Sequence, residues 1–99
     1  MKVLHLTLKK KWFDMIASGE KKEEYRELKG YWGSRLCNNP KQWLDGFLDF
    51  DYIHFSNGYN RPKTINVKCE GIDFGFGSAE WGAEPDKEYF VIKLGEIIK

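Results

Sequence analysis

Two long stretches in the C-terminal half constrain this chain most. Residues 64–76 put Ile65, Val67 and Cys69 on one parity and Ile72, Phe74 and Phe76 on the other, with Gly71 between them. Residues 89–98 repeat the device: Phe90, Ile92 and Leu94 share a face, Gly95 intervenes, and Ile97 falls on the opposite parity. Successive side chains of a strand point to opposite faces. Each stretch therefore reads as one long strand whose buried side changes at a glycine, which predicts a bulge or sharp bend there. Strands of this kind turn the corners of small barrels.

The remaining elements are shorter. Val3 to Leu8 alternates, with Leu4, Leu6 and Leu8 on one face, as a half-buried strand does. A helix over roughly residues 9–18 follows. Trp12, Met15 and Ile16 form its stripe, Phe13 and Ala17 widen it, Thr7 is the expected N-cap and Gly19 the expected stop. Lys22 to Glu27 reads as a charged, solvent-facing strand, with Lys22, Glu24 and Arg26 on one face, Glu23, Tyr25 and Glu27 on the other, and Lys21 at the bend before it. Residues 28–46 are short helical pieces broken by Gly30, Gly33 and Pro40, with Tyr31, Trp32 and Trp43 expected to pack onto the barrel. Asp51 to Ser56 alternates again, Ile53 and Phe55 inward. About five strands and one clear helix give an α+β fold: a small β-barrel with the helix packed near one opening. An OB-like or SH3-like barrel fits this pattern nearly as well.

Length and composition bound the function. Ninety-nine residues suit one domain with one core, and no repeat, low-complexity tract or linker divides them. Cys37 and Cys69 make no disulfide framework, and with His5 and His54 the only histidines a structural zinc site is not expected. Neither a signal peptide nor a membrane span is legible, so a reducing cytoplasm is the expected compartment. Net charge is +1, but residues 1–41 hold ten Lys or Arg against five Asp or Glu, whereas residues 42–99 hold six against ten. Such asymmetry marks either a face that meets phosphates or an ordinary solvated helix face.

The densest chemistry lies at Lys21, Glu24 and Arg26. A lysine beside a carboxylate and an arginine can hold a carbonyl, a phosphate or a base edge, and a desolvated lysine can act as acid or base. The plain alternative is a surface ion-pair ladder worth ~0–1 kcal/mol. Lys9, Lys10 and Lys11 in the first helical turn oppose the helix dipole, each at ~0.3–1 kcal/mol, and would welcome an anion; their alternative is solvation. Lys9, Lys11, Trp12, Lys22 and Arg26 are therefore candidate ligand contacts, with Trp12 either core or a stacking platform. Asn57, Tyr59 and Arg61 offer an amide, an aromatic face and a guanidinium around an Asn57-Gly58 turn, a set that suits a nucleobase and its phosphate. No serine-hydrolase set and no phosphate loop is present, and no cofactor is implied.

Lys11-Trp12, Ile16 and Gly19-x-Lys21-x-x-Glu24-x-Arg26 together resemble the ASCH domain family. Glu24-Tyr25-Arg26-Glu27 with Tyr31-Trp32 and Arg35-Leu36, then Phe55-Ser56-Asn57-Gly58-Tyr59, then Trp81-Gly82-Ala83 leading to Phe90-Val91-Ile92, are similar to a small bacterial and phage-type subgroup. The resemblance covers most of the chain. It implies a PUA-like barrel with a cleft beside the first helix and an RNA or nucleoside ligand. Some members are amidohydrolases that deacylate N4-acetylcytidine with a lysine, a threonine and a glutamate. Lys21 matches the lysine, whereas Glu24 stands at the threonine position and carries no hydroxyl. Glu24 would instead activate water while Lys21 polarises the carbonyl. Glu80 and Glu84 are the candidates by region for the family's glutamate.

Three expectations follow. A binding module for RNA or a modified nucleotide, using a basic cleft, predicts affinity that falls steeply with salt. An amidohydrolase for N4-acylated cytidine or a related nucleoside predicts turnover lost with Lys21. A protein-interaction domain predicts neither.

Overall fold

The computed structural model describes residues 1–58 and 62–98. The fold is α+β. Five strands, β1 (Val3–Thr7), β2 (Glu23–Glu27), β3 (Tyr52–Ser56), β4 (Thr64–Phe76) and β5 (Glu88–Ile98), form one mixed sheet in the order β1-β3-β4-β5-β2. Among the described residues only β1 and β3 run parallel; the other pairs are antiparallel. The sheet curls as a half-barrel, with β1 and β2 as its two edges. The helices α1 (Lys10–Ala17) and α2 (Gly30–Leu36) lie in the crossover that the parallel β1–β3 pair requires. Among the described residues, no helix is long and apolar enough to cross a membrane.

The corner-turning glycines act where the alternation places them. Val67 pairs with Ile97, Cys69 with Leu94 and Gly71 with Lys93. One extra residue therefore sits on β5 between the first two pairs, and one on β4 between the next two. Gly71 takes φ +127°, which side chains rarely adopt. The main core gathers Leu4 and Leu6 of β1, Leu8 just after it, Phe13 and Ile16 of α1, and Ile53, Phe55, Phe90 and Ile92. Ile53 and Phe55 are inward as expected. A smaller cluster on the other side of β5 joins Tyr25, Ala83, Tyr89 and Val91, with Trp81 against it, so four successive residues of β5 are buried.

Two local expectations need correction. Thr7 does not cap α1: it is the last residue of β1, opposite Ser56, and Lys9 occupies the cap position without a side-chain hydrogen bond. Gly19 does stop the helix, at φ +84° with its N–H on the Ile16 carbonyl at 3.0 Å. The charged strand β2 is not solvent-facing. Glu24 and Tyr25 are buried, and so is Lys21 just before it: the β4–β5 connection bonds to Tyr25, and α1 lies against Lys21.

Candidate functional site

The site begins with the backbone of β2. Leu94 N–H donates to the Lys22 carbonyl at 2.9 Å, which sets Lys22 and Leu94 as a hydrogen-bonded antiparallel pair. The pairing alternates, so Glu24 and Arg26 also bond to β5, while Glu23, Tyr25 and Glu27 turn their backbone groups to the open edge. The charged side chains cover that edge. The Lys21 ammonium donates to the Glu23 carbonyl, the Tyr25 N–H reaches Glu24 Oε1 at 3.3 Å, and Arg26 Nη1 donates to the Tyr25 carbonyl at 2.8 Å. The charges also pair with one another. Lys21 Nζ lies 2.9 Å from Glu24 Oε1, and Arg26 Nη1 lies 2.8 Å from Glu24 Oε2. Glu24 is thus clamped between two cations.

Lys21 is the unusual member. Its side chain is wholly inaccessible to solvent. Burial pulls its proton affinity below the ordinary lysine value, and this outweighs the opposing pull of Glu24; the nearby Arg26 adds to the lowering. The Tyr25 and Trp12 rings lie 5.0 and 5.7 Å from the ammonium.

In front of Glu24 and Arg26 opens a cleft of about 670 Å³, walled by β1, the start of α1, β2, α2 and the β4–β5 connection. Its lining is rich in rings: Trp12, Tyr25, Tyr31, Trp32, Trp81 and Tyr89. Arg26 stacks on Trp32 at 5.1 Å. The connection that carries Trp81 is tied down by two tyrosine hydroxyls. Ser78 N–H donates to Tyr25 Oη and Glu84 N–H to Tyr89 Oη, both at 2.9 Å. Tyr25 Oη in turn donates to Glu23 Oε1 at 2.8 Å. Desolvation, reinforced by this acceptor against the Ser78 N–H, pushes the Tyr25 hydroxyl up to about 12. Gly82, at φ +99°, packs directly on Trp12: a Cβ there would stand 2.9 Å from the ring. At the rim Lys87 reaches Glu84 at 3.3 Å and Glu27 at 3.9 Å.

The structure brings together part of the expected set. Lys9, Trp12, Glu24 and Arg26 border the cleft, and of the two loop glutamates Glu84 borders it whereas Glu80 does not. Lys21 lies behind Glu24 rather than on this wall, and borders a smaller cavity of about 260 Å³ with Lys22, Leu94 and Ile97. Lys22 precedes β2 and does not reach the cleft. Lys11 is exposed beside the Trp12 ring, 4.7 Å from its centre. Asn57 does not border the cleft, and its Oδ1 accepts the Lys63 N–H at 2.9 Å. Tyr59 and Arg61 lie outside the described residues. Among the described residues the cleft is not basic. Lys9, Arg26 and Lys87 are matched by Glu24, Glu27 and Glu84.

Sequence reasoning missed Trp32, Trp81, Tyr89 and Lys87 as cleft residues. Tyr31-Trp32 and Trp81-Gly82 stand out as aromatics beside glycines, but that signal reads equally well as packing. Compared with family models, curated proteins and solved structures, the chain matches none.

Proposed function

We propose that this chain is an ASCH-type, PUA-like module that holds one modified nucleobase, as a free nucleoside or nucleotide or within RNA, in the cleft beside α1. The observation that carries this reading is an aromatic cleft of about 670 Å³ with an oriented Glu24–Arg26 pair on its wall. Ligand sites commonly measure ~300–1,000 Å³, and this one sets six rings beside charged groups that can fix a ligand's orientation. A base stacked on an aromatic side chain gains ~1–3 kcal/mol. Arg26 and Glu24 supply a donor and an acceptor side by side for a base edge. The balanced charge of the walls favours stacking over phosphate attraction, so the affinity depends only weakly on salt. No cofactor takes part, and a cytoplasmic setting suits the two free thiols.

Three of the four tryptophans border the cleft, which makes their fluorescence the readout. Titration with cytidine, N4-acetylcytidine and a short RNA should give saturable quenching that changes little between 50 and 200 mM salt (about the range over which phosphate-driven binding collapses). Trp81→Ala should weaken it by roughly tenfold or more. Absence of quenching by every probe at millimolar concentration would sink the proposal.

One observation favours a second reading, an amidohydrolase for N4-acylated cytidine: the lowered proton affinity of Lys21 suits acid–base work. Against it, the Lys21 ammonium is enclosed and both Glu24 oxygens are engaged by cations. Chromatography of N4-acetylcytidine incubated with wild type and Lys21→Met separates the two. Turnover lost in the variant would establish the hydrolase.

A further inference from the structure

On the outer face of the sheet, His5 of β1 stands directly beside His54 of β3, and His54 directly beside Asn66 of β4. The two imidazole centres are 5.2 Å apart and tilted by 56°. His54 Nδ1 lies 2.6 Å from Asn66 Oδ1. A carbonyl oxygen only accepts, so the proton sits on Nδ1 and Nε2 keeps its lone pair. Metal-binding histidines are held in this way, with the second ring nitrogen donating to a carbonyl or carboxylate. His5 is exposed and His54 half-buried, so neither lone pair is sealed in the core.

We propose that His5 and His54 form a two-histidine site for a divalent transition ion of the zinc type, with Asn66 as its positioning residue. The spacing fits. Zinc sits ~2.0–2.1 Å from each imidazole nitrogen in a tetrahedral site, which puts the two ring centres about 5 Å apart. Imidazole nitrogens suit zinc, copper and nickel and not magnesium or calcium. No third His, Cys, Asp or Glu joins the pair among the described residues, so the remaining positions fall to water or to a bound molecule's donor atoms. His5 also borders the cleft, so an ion held here stands at its edge. The site is independent of the nucleobase reading and survives its failure.

Calorimetric titration of the full chain with zinc sulfate tests it, with magnesium as the control. Saturable one-to-one zinc binding is expected. His5→Gln and His54→Gln should each abolish it, and Asn66→Ala should weaken it roughly tenfold or more by freeing the His54 ring. His5 is exposed, so His5→Gln leaves the core intact. No zinc binding by the wild type, or binding that is unchanged in both histidine variants, would overturn the proposal.

Discussion

At the scale of single residues, the account turns on a buried carboxylate shared by two cations. Removing one partner of a buried ion pair costs ~3–5 kcal/mol, because the other charge is left uncompensated. The three side chains are not equivalent in this respect. Glu24→Gln leaves Lys21 and Arg26 facing each other, whereas Lys21→Met keeps the Glu24–Arg26 pair and fills the same space. Urea denaturation should therefore show Glu24→Gln destabilised by ~3–5 kcal/mol and Lys21→Met by clearly less. The reverse order would mean that Lys21, not Glu24, is the keystone. Lys21 also contributes to pH dependence. Its folded value lies below 10.5, so its contribution to stability grows as pH rises from that folded value towards 10.5. Tyr25 acts oppositely and later. Its value is raised from 10.0 to about 12, so its contribution is complete below pH 10 and is lost between there and about 12. In an absorbance titration of the tyrosines, the Tyr25 phenol should resist ionisation until about pH 12 while the fold survives, and Tyr25→Phe should remove that late step.

At the scale of elements, the β4–β5 connection decides whether the cleft exists. Gly82 sits in the left-handed region against Trp12, and the same connection carries Trp81. A side chain in that conformation costs ~1–2 kcal/mol, and Gly82→Ala would also push its Cβ into the indole. The variant should lose ~1–2 kcal/mol in thermal or urea unfolding and, by shifting Trp81, lose more nucleoside affinity than that stability loss explains. Unchanged affinity would show that Trp81 is not part of the binding wall. The same comparison explains what was legible in the sequence. Face switches at Gly71 and Gly95 were visible because strands have a period of two and any break in it stands out. The burial of Lys21 was not visible: a run of Lys, Glu and Arg reads as solvated unless one knows that β2 is an edge whose backbone those side chains must cover. Trp81 and Lys87 lie in a connection without periodicity, so nothing local announced where they would point.

At the scale of the whole molecule, an incompletely closed sheet makes the site. The order β1-β3-β4-β5-β2 leaves two edges, and the cleft lies where α1 and the β4–β5 connection cover the gap between them. The gap is thus a product of topology, and the aromatics that line it come from five separate segments of the chain. The tryptophans provide an internal control. Trp12, Trp32 and Trp81 border the cleft, whereas Trp43 packs on Phe90 and donates its indole N–H to the Pro40 carbonyl at 3.0 Å. The measurement to make is a heteronuclear NMR titration of the labelled chain with N4-acetylcytidine, following the four indole N–H signals. The account predicts that the signals of Trp12, Trp32 and Trp81 move together and saturate while that of Trp43 stays in place. Equal movement of Trp43, or shifts confined to the lysines of α1, would contradict a base stacked in the aromatic cleft.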